Sequence, residues 1–369
     1  MLDTVFVPSF GNPPQNLVGR EGALRAFENL FQSVPGSRER AMLLLGQRGF
    51  GKTVLLLQLA ATAKKRGYIV ASPTIVSKEL PNRILEKLKD EGKPFLSKPK
   101  PKITGGSFDI VGSGVGIELE YEEEPEKSFS WRLTKICSEL NEKKKPIIIL
   151  IDEVQANQDS LRELIVAYQE MVGKGMDVAI ALAGLPSAVS TVLNDHVLTF
   201  LNRAVKLELP PLRIGDIEFY YRRVFSDLQI HMSDTQIASA AEETEGSPYM
   251  MQLVGHYLVL GADRDTTVSD AQFEKAIQTA KTDFMNDICE TTLAPLSEKD
   301  VAFLAAMAIS GETAKISDII SSLKWTNSAA QTYKKRLSQA GVINQPRRGV
   351  VQFAVPYLRD YLYQEYADQ

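Results

Sequence analysis

Cysteine is scarce in this 369-residue chain: Cys137 and Cys289 stand far apart and form no metal-ligand spacing. They read as small core residues rather than a disulfide, which suits a reducing compartment. No stretch approaches the roughly 18 uninterrupted apolar residues of a membrane span, so no membrane role is expected. The opening residues, MLDTVFVPSF, lack a basic leader and a long apolar core. No secretory signal is expected, and the cytoplasm is the expected location. An excess of positive charge is also missing. Lys and Arg number 42 against 46 Asp and Glu, a formal net charge of −4. That argues against a globally basic nucleic-acid binder, though not against a local basic surface. Internal repeats are absent as well.

What is present is an ordinary globular composition, 44% apolar and 24% charged, in a chain long enough for two or three domains. Its clearest local signal is LLLGQRGFGKTVLLLQLA, residues 43–60. Gly46, Gln47, Arg48, Gly49, Phe50, Gly51, Lys52 and Thr53 fit the G-x-x-x-x-G-K-[ST] pattern of a phosphate-binding loop. Glycines let backbone N–H groups point inward at a phosphate, and the helix N-terminus beneath adds its positive dipole end. Lys52 would reach the β- and γ-phosphates, and the Thr53 hydroxyl would ligate Mg²⁺. The context fits, with an apolar strand pattern before the loop and a helical one after it.

A second signal supports the first. IIILIDE, residues 147–153, reads as a buried strand of the parallel-sheet type that ends on two carboxylates. Asp152 is placed to help hold Mg²⁺. Glu153 follows it and is placed to act as general base on an attacking water. ATP or ADP with Mg²⁺ is therefore the expected ligand pair. By contrast GSGVG, residues 112–116, has the wrong spacing for a dinucleotide site and precedes a strand pattern.

Strand and helix patterns alternate through the first 212 residues, which indicates a doubly wound α/β domain. Residues 92–127 interrupt it with a Lys/Pro run and then an alternating Glu-rich stretch, read as an inserted hairpin. After LELPPL the strand patterns stop, and residues 213–290 read as a helical lid of four helices. Ser233 and Ser269 are expected N-caps, and Pro248 suits a first helical turn. Residues 291–369 give three helical patterns, then two β-rich runs around Pro-Arg-Arg-Gly, the order of a winged helix-turn-helix.

These motifs resemble the AAA+/STAND division of P-loop ATPases, in particular its archaeal-type and replication-initiator-like branch. The likeness extends from about Asn12 to Tyr366 and rests on LVGRE, GQRGFGKT, IIILIDE, LNRAVKLELPPL and EGSPYMMQLVG. It implies a P-loop domain, a helical lid and a C-terminal winged helix. It implies that Val18, Gly19 and Arg20 lie near the adenine, and that Pro248 of Gly-Ser-Pro contacts nucleotide. It also implies that Arg203 acts as a finger on a neighbour's nucleotide, through self-association. Two departures stand out: Ala183 and Gly184 end the fourth strand pattern without a polar sensor, and Tyr249 stands where a lid arginine is common. Both favour slow turnover over a ring-type motor.

Between Asp318 and Asp360 there is no acidic residue but seven basic ones. Lys334, Lys335 and Arg336 fall on the expected recognition helix, and Arg347 and Arg348 on the tip of the expected wing. Duplex DNA is one partner this pattern fits. A protein partner, or autoinhibitory docking as in a STAND-like signalling or defence ATPase, is the other.

Overall fold

The computed structural model describes residues 5–8, 17–72, 77–97, 127–154, 159–193, 198–262 and 266–366. Most of the expected insertion, including the Gly-Ser-Gly-Val-Gly turn, lies outside the described residues.

Five short strands form one parallel sheet: β1 (Ala41–Leu45), β2 (Ile69–Ala71), β3 (Ile147–Val154), β4 (Val178–Gly184) and β5 (Val205–Glu208), in the order β2-β3-β4-β1-β5. The strands β1 to β4 are continuous apolar runs because helices cover both faces of the sheet. On one face lie α1 (Glu21–Gln32) and α2 (Lys52–Lys65), enclosing a core around Phe27, Leu30 and Leu59. On the other lie α3 (Leu80–Gly92), α4 (Phe129–Glu142) and α5 (Asp159–Gly173), with Leu133, Ile165 and Tyr168 inside. A short α6 (Pro186–Leu193) follows β4. In this order β4 separates β1 from β3, and the loops after β1 and β3 emerge at the same end of the sheet.

Four helices come next: α7 (Ile214–Asp227), α8 (Asp234–Glu242), α9 (Pro248–Gly261) and α10 (Asp270–Phe284). Ser233 and Ser269 form capping boxes with Gln236 and Gln272, and Pro248 opens α9. The helix after Ser269 does not stop at Phe284 as its sequence pattern suggests. A π-helical turn, Met285–Glu290, carries it into α11 (Thr291–Leu293). The leader also has more structure than its sequence suggests. Phe6 is buried against Gly255 of α9, where an added Cβ would lie 2.3 Å from the ring, and the Val7 N–H donates to Gln252 Oε1 at 3.0 Å.

The C-terminal part comprises α12 (Glu298–Ser310), β6 (Thr313–Lys315), α13 (Ile316–Leu323), α14 (Asn327–Gln339), β7 (Ile343–Arg347), β8 (Val350–Phe353) and α15 (Leu358–Tyr366). The three strands pair antiparallel in the order β6-β8-β7. Three helices and this sheet make a winged helix. β6 and α15 are additions to the expected pattern; three residues of strand are too few to show a period. One apolar cluster runs without a break from Tyr221 and Phe284 to Phe303, Leu337 and Leu358. The helical region and the winged helix therefore share a core.

Candidate functional site

The loop after β1 turns through Gly49 and Gly51, whose φ values of +75° and +82° lie in the left-handed region that favours glycine. Gly51 is the N-cap of α2, so the first N–H groups of that helix face the loop. Lys52 Nζ donates to the carbonyls of Gly46 and Gln47 at 2.9 and 2.8 Å. Burial pushes its ammonium down to about 8, an effect that the nearby Asp152 charge partly offsets. The Thr53 hydroxyl donates to Asp152 Oδ2 at 2.6 Å, bringing together two residues 99 positions apart.

Asp152 is 8% exposed, and its Oδ1 accepts the Glu153 N–H at 2.9 Å. The β3–β4 register shifts between Ile151 and Val154. Within that shift Glu153 has φ +52°, an uncommon backbone state for a residue with a Cβ, and its side chain is exposed. The strain is local, and it turns one carboxylate inward to Thr53 and the next outward.

Arg20 braces the loop from the other side. It is buried, and burial lowers its pKa. Its two terminal nitrogens donate to Pro210 O at 2.9 Å and Phe50 O at 3.3 Å, so it joins the loop to the segment leading into α7. Val18 and Gly19 line an adjacent cleft of about 720 Å³ with Gln58, Asp216 and Tyr220. Above the loop sits the start of α9. Gly246 has φ +71°, and an added Cβ would meet Leu212 O at 2.6 Å, so glycine is required there. Ser247 caps α9 by accepting the Met250 N–H, and its Oγ lies 3.6 Å from where a Cβ on Gly49 would stand. The first turn of α9, which Pro248 opens, thus stands beside the loop through Ser247 and Tyr249.

The side chains of Gln47 and Arg48 depart from the expected phosphate site. Arg48 donates to Thr291 O at 3.1 Å, and Gly341 is so close to Gln47 that an added Cβ would lie 2.5 Å from its Oε1. Both side chains turn to the C-terminal helices, and only their backbone belongs to the loop. Arg203 ends a 3₁₀ turn, Thr199–Arg203, just before β5, and is exposed. The start of β5 lies at the end of the sheet opposite the P-loop.

Contacts with no signal in the sequence join the lid to the winged helix. Tyr357 OH donates to Glu243 at 2.5 Å (O) and 2.9 Å (Oε2), and within the lid Lys281 holds that same Glu243 at 2.6 Å. Such pairings link residues far apart in the chain, and neither periodicity nor spacing reports them.

In the winged helix the three basic residues of α14 do not share one face. Positions two apart on a helix point about 200° apart, and Lys334 and Arg336 lie on opposite flanks. Lys334 Nζ donates to Gln345 Oε1 at 3.2 Å. Arg336 donates to Asp300 and to Ser297 within the same fold. Lys335 is exposed, as are Arg347 and Arg348 at the wing tip. Arg336 stays exposed while paired with Asp300 at the start of α12, so the three basic residues spread around α14 instead of forming one narrow stripe.

Comparison with known proteins places this geometry. Residues 16–174 match the family model described as an AAA ATPase domain, and residues 286–362 match a domain of unknown function. No curated protein matches the chain by sequence. Among solved structures it is similar to a Walker-type ATPase of Pyrococcus abyssi, at 18% identity and TM-score 0.68 over 97% of this chain and 99% of that one. It is also similar to the ORC2 protein of Aeropyrum pernix, solved with ADPNP and ADP, at 14% identity and TM-score 0.64 over 98% of each chain. Cdc6p of Pyrobaculum aerophilum is similar at 15% identity and TM-score 0.52, over 98% of this chain and 97% of that one. Among the described residues no helix is long and apolar enough to cross a membrane.

Proposed function

We propose that this chain, whose residues 16–174 match an AAA ATPase domain and whose fold is similar to that of the Aeropyrum pernix ORC2 protein, is a slow, ATP-dependent switch whose winged helix grips duplex DNA. ATP or ADP would sit with its phosphates on residues 46–53 and its base in the cleft by Val18 and Gly19. Arg20 holds the two parts of that site together. Lys52 places its ammonium on the phosphates, and Pro248 closes the site from the lid. Thr53 Oγ1 and Asp152 Oδ2 are hard oxygen donors side by side next to Lys52, a set that fits Mg²⁺. When bound there the ion supplies charge neutralisation at the phosphate oxygens. Glu153, outward and exposed, accepts a proton from the attacking water as the water oxygen bonds to the γ-phosphorus and the bond to ADP breaks.

One observation carries the switch: the P-loop touches the winged helix directly, through Gln47 with Gly341, while Arg48 ties it to α11 at Thr291. A change of loop conformation with nucleotide therefore acts on the end of α14. The test is binding of a labelled duplex in ATP and in ADP across a salt series. We expect affinity to differ between nucleotides and to fall with salt at a log–log slope of about −0.9 per neutralised phosphate. Weak binding, indifferent to both, would overturn the DNA reading.

The same contact favours a second reading, in which the winged helix locks the ATPase closed, as in STAND-like proteins, until a protein partner releases it. Arg203, exposed and remote from its own P-loop, would then act after self-association. Under either reading Arg203→Ala lowers turnover only at concentrations where the chain self-associates. An unchanged rate at every concentration removes the finger.

A further inference from the structure

The face that α14 offers outward is defined by what the fold has already engaged. Ala330, Tyr333 and Leu337 turn toward the core. Lys334 and Arg336 on the two flanks are held by Gln345 and Asp300. The strip between those flanks is Ser328, Gln331, Thr332 and Lys335, all exposed, with Asn327 exposed at the first turn. A single charge remains on it; the others are hydroxyls and carboxamides. Gln331 Nε2 donates to Asn327 Oδ1 at 3.4 Å, so the two carboxamides stand together on the N-terminal turn. In helix-turn-helix folds that turn meets the base edges. The contact with the ATPase domain falls at the other end of the helix, where Gly341 meets Gln47 and Leu185.

A carboxamide presents a donor and an acceptor together. That matches adenine in the major groove, which offers the N6 amine and the N7 acceptor; guanine offers two acceptors and is matched by Arg or Lys. We infer that α14 reads adenine through Gln331 and Asn327, while Lys335, Arg347 and Arg348 hold phosphates. The inference rests on the DNA reading above and adds the base that is read.

The experiment is selection of duplexes from a random library by the full-length protein, followed by titration of the selected site and of its A-to-G variant. Enrichment of an invariant A·T pair is expected, and its replacement should weaken binding roughly 5- to 100-fold. Gln331→Ala should abolish that discrimination while leaving affinity for the replaced site unchanged. Arg348→Ala should weaken all sequences alike and lower the salt slope by about one. Tight binding without sequence preference, or a G·C preference untouched by Gln331→Ala, would overturn the inference and leave the DNA reading standing. Absence of duplex binding would overturn both.

Discussion

The P-loop and α14 are two short basic segments, and the fold treats their charges in opposite ways. In the P-loop the chemistry is mostly backbone, so the covalent spacing of three glycines, one lysine and one threonine fixes where the groups point. Lys52 folds back on the carbonyls of Gly46 and Gln47, and Thr53 reaches Asp152. In α14 the chemistry is side chain on a rotating scaffold, and tertiary partners decide which charge faces outward. Asp300 pairs with Arg336 and Gln345 with Lys334, while Lys335 lies exposed between them. A motif made of backbone survives distant change in the sequence; a motif made of charge depends on every neighbour.

The largest expected effect sharpens the P-loop half of that comparison. Glu153→Gln should lower turnover by about 10² to 10⁴-fold, the usual contribution of a positioned general base. ATP binding should stay within about twofold, because Glu153 faces outward and Asp152 carries the inward contact. Single-turnover hydrolysis alongside calorimetric binding checks it, and hydrolysis at the wild-type rate removes the base assignment. Lys52→Ala comes next, with nucleotide affinity expected to fall about 100-fold, or roughly 2.7 kcal/mol. Duplex binding without nucleotide should be unaffected by it, which separates the two regions by one substitution.

A smaller effect follows from the buried ammonium. Lys52 loses its proton near pH 8 in the free site because burial disfavours the charge. Bound phosphates favour the charged form, so its pKa is higher in the complex and binding takes up a proton above pH 8. ATP affinity should be flat below that pH and fall by about tenfold per pH unit above it, until the pKa of the complex is reached. Binding measured from pH 7 to 10 decides it; a flat profile would mean that the lysine stays charged in the free site.

How much was legible in the sequence follows the same division. The α/β core, the loop after β1 and the acidic end of β3 are written in runs of buried residues and fixed spacings. The capping boxes at Ser233 and Ser269 are equally local. Harder to read were Phe6 on Gly255, the π-helical turn that lets Tyr249 reach Asp287, and Tyr357 on Glu243. Each joins positions far apart in the chain, and a π turn differs from an α turn by one hydrogen-bond step without changing composition. Gln47 and Arg48 are the instructive case. Their backbone follows the motif, but their side chains follow the tertiary contact with Gly341 and Thr291.

The smallest effect tests the α14 half directly. Burial alone would raise the carboxyl of Asp300, 1% exposed, but hydrogen bonds from Arg336 and Ser297 outweigh it and hold its pKa below the usual range. Because Arg336 is 49% exposed at its side chain, solvent screens the pair, and Arg336→Ala should cost about 1 kcal/mol or less. The sign with pH is fixed by the depressed carboxyl. Its contribution is present above the unfolded value of about 3.9 and is lost as pH falls through the folded value. Urea unfolding should therefore show the full difference between wild type and variant at pH 7, closing below pH 4. Duplex binding should change less than twofold, whereas Lys335→Ala, with the outward charge, should weaken it on every sequence. If Arg336→Ala instead weakens DNA binding as much as Lys335→Ala, the pair with Asp300 opens on DNA, and the outward face of α14 belongs to the complex rather than to the free protein.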